Sequence, residues 1–392
     1  MDKTMSAPAL AAIRGFHDEL TAIRRDLHAN PELGLEEHRT AQIVATKLAE
    51  WGIEVHRGIG KTGVVGVLRR GSGGRSIGLR ADMDCLPMHE QTNLAYRSTK
   101  PGVMHACGHD GHTTMLLGAA RYLATSPSFQ GTVHFIFQPG EEGVGGALAM
   151  LEDGLFERFP CDQVFALHNR PGQPIGTFAI GKGPQSAGGA FFDITITGRG
   201  AHGARPELSV DPVLVAGHII TALQSIVARN LSPADTAVLS MTRVVAGDAY
   251  NVIPESAKMS GTARAFKSAT MQMLEEGIRR IAKGVAEGLR AEAEVDFRVI
   301  FAPLINAEAE TDVLAAAAAA VVGEANVDRA KPPSMGSEDF SFMMEKVPGA
   351  YIQLGNGDSA GLHNPAYNFN DEATPYGAAL LATVVERQLK GS

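Results

Sequence analysis

The sequence predicts an α/β protein interrupted by a small α+β insertion, and three observations carry that expectation. At 392 residues the chain exceeds the size at which a single core usually keeps growing. Its first half alternates helical and strand-like stretches, several of them ending in carboxylates or histidines. Across 187–300 the order changes to β-α-β-β-α-β, the split βαβ arrangement. Two domains follow: a larger one built from 1–186 and 301–392, and an inserted one over 187–300.

Taken in order, 11–29 is expected to be an amphipathic helix. Ile13, Phe16, Leu20, Ile23 and Leu27 recur among Arg14, Asp18, Glu19, Arg24 and Arg25, so the stretch does not read as a secretory h-region. A second helix is expected over 37–51, with Gly52 placed to stop it. Short apolar segments occupy 63–69 and 76–80, the latter running into Ala81-Asp82-Met83-Asp84. A helix is expected over 113–123 and buried strands over 131–138 and 161–168. Asp82, Glu141 and His168 would then lie just beyond strand ends, where open α/β sheets place their ligands. In the insertion, strands are expected over 190–197, 237–245, 257–266 and 294–299, with helices over 212–229 and 269–287. Pro303 and an alanine-rich helix over 312–322 mark the return to the larger domain.

Composition narrows the partners. With 44% hydrophobic and 20% charged residues the chain reads as soluble and globular. A formal charge of −8 and scattered basic residues give no stripe that could track a phosphate backbone, so nucleic acid is not an expected partner. The apolar run 313–322 is too short to span a bilayer, and no membrane association is expected. Three cysteines, Cys85, Cys107 and Cys161, make an odd count that fits a reducing cytoplasm better than a disulfide framework.

The most informative stretch is Met104-His105-Ala106-Cys107-Gly108-His109-Asp110-Gly111-His112, which holds a thiol and three imidazoles. Thiolates, imidazoles and carboxylates are the usual ligands of Zn²⁺ and related ions. Cys107 and His109 can converge on a metal if the chain turns at Gly108, while His105 and His112 read as structural. Glu141 and Glu142 follow an apolar strand and the Pro139-Gly140 turn. One can bind metal while its neighbour holds a water and moves its proton. His168 and His363 would each be an ordinary loop residue alone. With Cys107, His109 and Glu142 they make five candidate ligands, more than an isolated structural zinc uses and suited to two metals with a shared ligand. Asp82 and Asp84 share one side of an extended segment, placed to hydrogen-bond metal-binding histidines rather than to bind metal themselves.

These residues resemble the M20 metallopeptidase family, in particular its amidohydrolase branch of hippurate hydrolases, N-acyl-amino-acid amidohydrolases and auxin-conjugate hydrolases. The resemblance rests on Asp26 to Leu33, Ala81 to Asp84, Met104 to His112, Phe137 to Glu142, Gly200 to Gly203, Asn251 to Pro254 and Gly336 to Phe340. It implies a Zn-peptidase-like catalytic domain holding two divalent ions (Zn, Mn, Co or Ni), and an inserted ferredoxin-like lid that commonly dimerises. It places Cys107 at the bridging position, His109, Glu142, His168 and His363 at the other ligand positions, and Glu141 at the general base. The branch commonly has alanine where this chain has Gly140.

In the lid, the resemblance assigns His202 to stabilising the oxyanion, often across a dimer. Asn251 and Arg264 match residues that hold substrate oxygens or a free carboxylate, for which a guanidinium is well shaped. Read without the resemblance, His202 sits in a glycine-rich turn and Arg264 on a solvated strand. The implied reaction is hydrolysis of the amide bond of a small N-acyl amino acid. Competing readings are a dipeptidase or aminobenzoyl-glutamate hydrolase, a carbamoyl or amidine hydrolase, and a non-catalytic metal-binding scaffold.

Overall fold

A computed structural model describes residues 8–125 and 129–390. The chain divides into two compact units. One comprises the described residues up to Gln185, Ile305–Pro332 and everything from Asp339 on; the other comprises Ser186–Leu304 with Pro333–Glu338.

The larger unit is built on one eight-stranded mixed sheet. Its strands run in the order Glu54–Ile59, Gly63–Arg70, Gly131–Gln138, Ser76–Asp82, Gln163–Arg170, Gly349–Gly355, Phe178–Ala179, Val327–Asp328. The four central strands, Gly131–Gln138 to Gly349–Gly355, are mutually parallel. Parallel strands are covered on both faces and therefore read as continuous apolar runs. Ile77, Leu79, Val133, Phe135, Phe137, Phe165 and Ile352 accordingly lie in the core. Because the four strands point the same way, Gln138, Asp82, Arg170 and Gly355 end at one edge, and the loops carrying the chemistry leave from it.

The helices around this sheet depart from expectation in detail. The first amphipathic stretch is two helices, Pro8–Arg14 and His17–Ala29. The break falls where Gly15 N–H and Phe16 N–H turn back to Ala12 O and Ile13 O. The helix expected from 113 starts earlier, at His109, because Gly108 O already accepts from Gly111 and His112 N–H. No element was expected at Gly349–Gly355 or Thr374–Gln388, yet the first is a buried central strand and the second a helix packed on His109–Thr125.

The inserted unit has four antiparallel strands in the order Ala237–Ala246, Ser256–Ala265, Gly188–Thr197, Glu292–Phe301. This is the ferredoxin-like order, with helices Pro212–Ser225 and Ser268–Gly288 packed on the sheet. Phe192, Ile194 and Ile196 alternate along one strand into a core separate from that of the larger unit. Asp211 caps the first helix, accepting from Val213 and Leu214 N–H. With its π-turn this helix runs Pro212–Asn230, long and apolar enough by length and composition to cross a membrane. A helix is expected here over 212–229, but His218 and Gln224 interrupt its apolar run, so its length as an apolar segment is not evident in the sequence. Val215, Ile219 and Leu223 pack into the core, while Val213 and Leu214 stay 49% and 53% exposed.

Candidate metal centre

Cys107 and His109 flank a turn that opens the helix His109–Thr125. Gly108 between them has φ +94°, and a Cβ there would fall 2.1 Å from Asn169 Nδ2, so only glycine closes the turn. Asn169 then fastens it. Its Nδ2 donates to Cys107 O at 2.7 Å, its backbone N–H donates to His112 Nε2 at 3.0 Å, and its Oδ1 accepts from Tyr367 OH at 2.8 Å.

The candidate ligand atoms of Cys107, His109 and His168 lie within 4.8 Å of one another, and so do those of Cys107, Glu142 and His363. The two groups share the Cys107 sulfur. Sγ is 3.3 Å from His168 Nε2, and His363 Nε2 is 3.2 Å from Glu142 Oε1. Glu141, 6% exposed, belongs to a third such group with His109 and Glu142. His363 reaches its place with φ +58°, a conformation uncommon for a residue with a side chain, while its N–H donates to Ala106 O.

Both aspartates hold histidines, in different ways. Asp84 Oδ1 accepts from His109 Nδ1 at 3.0 Å, and its Oδ2 accepts from Glu142 N–H at 2.9 Å, so one carboxylate orients two candidate ligands. Asp82 Oδ1 accepts from His112 Nδ1 at 2.6 Å, and Oδ2 pairs with Arg80 at 2.8 Å. Both ring nitrogens of His112 are thereby engaged, which leaves it a structural role. His105 is buried with neither ring nitrogen partnered, and burial pushes its pKa down to about 4.

Electrostatics follow from this packing. Burial alone would raise Asp82, but His109, Arg80 and His112 hold it well below the usual carboxylate range. Burial would lower His109, yet Asp82, Cys107 and Asp84 raise it well above the usual imidazole value. Burial and the neighbouring His112 lower His168. Burial pushes the Cys107 thiol up to about 12. A divalent ion beside that sulfur would reverse the balance, because a coordinating thiol is deprotonated. The donor set fits such ions. With Nδ1–H given to Asp84, the buried His109 Nε2 has no hydrogen-bond partner and is the ring nitrogen left for an ion to take in place of a proton.

Glu141 is framed by Asp339, whose N–H donates to its Oε1 at 3.4 Å. The Asp339 carboxylate accepts from Gln138 Nε2 and from Ala147 N–H, tying the ends of the loop that bears both glutamates.

His202, Asn251 and Arg264 lie on the inserted unit. His202 and Asn251 are exposed, and His202 stands opposite Val252 on a two-stranded antiparallel ribbon, whose pairing Gly203 N–H continues to Asn251 O. His202 Nδ1 accepts from Ala204 N–H at 3.0 Å, which leaves Nε2 to carry the proton outward. Arg264 Nη1 and Ser337 Oγ are both buried without a hydrogen-bond partner. A Cβ on Gly189 would fall 1.8 Å from the first and 3.0 Å from the second, so the absent side chain makes a small polar cradle.

A scan against family models matches residues 78–387 to "Peptidase family M20/M25/M40". The chain belongs to that family. It is 46% identical to a hippurate hydrolase of Campylobacter jejuni over 96% of this chain and 98% of that one. It is 40% identical to an N-acetylcysteine deacetylase of Bacillus subtilis, over 96% and 99%. Among solved structures, the Bacillus subtilis YXEP protein, a dinuclear metal binding peptidase from the M20 family, superposes with a TM-score of 0.84 at 36% identity, covering 96% and 99%. This M20 chain is therefore a hydrolase, and its donor groups suit two divalent ions.

Sequence reasoning passed over Asn169, Glu37 and Ser337. Asn169 carried the weak signal of adjoining His168 at a strand end. Glu37 reads as one of two charges opening a helix, and Ser337 as part of a polar loop.

Proposed function

We propose that this chain hydrolyses N-acyl amino acids with a free carboxylate, using two divalent ions held by Cys107, His109, Glu142, His168 and His363. The observation that carries this reading is the Cys107 sulfur, shared by two candidate ligand groups, with Glu141 beside both His109 and Glu142. The hippurate hydrolase and N-acetylcysteine deacetylase relatives support the substrate class by their names. Thiolate, imidazole and carboxylate together suit Zn²⁺, and Mn²⁺, Co²⁺ and Ni²⁺ also accept such a set.

When bound, the ions supply Lewis acidity toward the amide carbonyl and acidify a water. Glu141 takes that water's proton as the water attacks the carbonyl carbon, then delivers it to the departing amine nitrogen. Asp84 keeps His109 in the tautomer with a free Nε2 and holds the backbone of Glu142. His202, from the same chain or a second copy, donates Nε2–H to the oxygen on which negative charge develops. Arg264 grips the substrate carboxylate, with Asn251 supplying a further polar contact. The products are a carboxylic acid and an amino acid.

A second copy of the chain is the proposed partner, docking on the inserted unit. The half-exposed Val213 and Leu214 and the edge strand with half-exposed Val244 and Val245 support this. Three unpaired thiols support a cytoplasmic location.

The test is a mass-spectrometric hydrolysis assay of reduced, metal-reconstituted protein on N-acyl amino acids, dipeptides and carbamoyl amino acids, beside Glu141→Gln. Amino-acid release from the acylated members, lost in the variant, is expected. Turnover confined to another class moves the assignment there, and none at all overturns it.

A further inference from the structure

We infer that Glu37 is a positioning residue that pins the turn bearing Glu141 and Glu142. Its carboxyl is fully buried, yet no cation faces it among the described hydrogen bonds and ion pairs. Three donors hold it instead. Oε1 accepts from Leu35 N–H at 3.0 Å and from Gly140 N–H at 2.8 Å, and Oε2 pairs with the Thr62 hydroxyl. Gly140 immediately precedes the two glutamates, so the Glu37 contact fixes the peptide from which both side chains start.

The surroundings make this contact decisive. Gly140 has φ +58°, and a Cβ on it would lie 2.7 Å from Val144 Cγ2 and 3.3 Å from Leu35 Cδ2. Leu35 itself is left-handed at φ +66°, a strained conformation for a branched side chain, and Glu37 holds its N–H. Opposite, a Cβ on Gly34 would lie 2.9 Å from Gly140 Cα. Two tight turns thus face each other with no room for a bulkier fastening, and one carboxyl oxygen bridges their amides. Oε1 can accept both N–H groups whether or not Oε2 carries a proton, because Thr62 O–H can donate or accept. An amide at this position can do the same.

Glu37 touches no reacting atom; it acts through Gly140 on the proposed base and ligand, so the inference rests on the function proposed above. The experiment compares wild type, Glu37→Met, which keeps the volume but removes the acceptor, and Glu37→Gln, which keeps it. Glu37→Ala takes the place of Glu37→Met if the latter does not fold. Amide hydrogen exchange of the segment containing Gly140 reads the pinning without substrate. Steady-state kinetics of metal-loaded protein, with metal content measured, read its consequence. The expected result is exchange at least tenfold faster in Glu37→Met and kcat lower by about 10–100-fold with KM within threefold. Glu37→Gln should remain within threefold of wild type in both. Unchanged exchange in Glu37→Met, faster exchange with kcat within twofold, or a Glu37→Gln loss equal to that of Glu37→Met would overturn the inference. If wild type turned over no substrate, the functional proposal would fall by itself, and exchange would still decide the pinning.

Discussion

In the larger unit the groups that orient the candidate ligands are tied to one another: Asp84 to His109 and Glu142, Asp82 to His112 and Arg80, Asn169 to Cys107 and Tyr367, while His109 Nε2 and the His105 ring nitrogens stay without partners. In the inserted unit His202 and Asn251 stand exposed on a ribbon, and Arg264 Nη1 and Ser337 Oγ are buried without partners. The contrast separates two tasks. A charged centre must be assembled in advance, since reorganising buried charge during a reaction is costly. A substrate-gripping group must instead keep its hydrogen-bonding capacity for the substrate, and buried donors left open in the free protein mark where that capacity is held.

The comparison breaks or sharpens under substitution. Glu141→Gln should lower kcat by about 10²–10⁴-fold while metal content, read by inductively coupled plasma mass spectrometry, stays unchanged. Loss of both would make Glu141 a ligand. Cys107→Ala should deplete both ions. In wild type, alkylation of Cys107 should be faster in metal-free than in metal-loaded enzyme, and equal rates would remove the sulfur from the centre. Arg264→Ala should leave metal content intact and raise KM by about 10–100-fold for an N-acyl amino acid, but not for its carboxamide analogue. An equal loss on both would deny it the carboxylate.

Smaller effects test the packing around each region. Burial, chiefly, raises the Glu37 pKa to about 7, against an ordinary 4.5. A raised folded-state pKa gives stability that is present below the unfolded value and lost as pH rises through the folded one. Wild type should therefore lose about 2–3 kcal/mol between pH 4.5 and 7 from this group. Glu37→Gln should not, so its melting temperature should gain on wild type as pH rises from 5 to 8. A constant difference would mean that the folded protein does not raise the Glu37 pKa. If the proposed dimer forms, Leu214→Asp, on the exposed side of the helix Pro212–Ser225, should shift its light-scattering mass toward monomer and leave the melting temperature of the monomer nearly unchanged.

Much of this was legible in the chain itself. Local periodicity placed three of the four parallel strands, missing Gly349–Gly355, and the β-α-β-β-α-β insertion, because side-chain alternation and helical repeats are set by near neighbours. The identities of Cys107, His109, Glu141, Glu142, His168 and His363 pointed to the chemistry, since few side chains bind divalent ions. Tertiary structure decided which of the clustered histidines is free. His112 is engaged at both nitrogens by Asp82 and Asn169, whereas His109 keeps Nε2 open. It also decided the fastenings at Glu37 and Asn169 and the Arg264–Ser337 cradle. Gly140 lies 103 positions along the chain from Glu37, and Cys107 lies 62 from Asn169. Pairings of that kind exist only once the sheet has brought distant loops to one edge, and no local pattern encodes them.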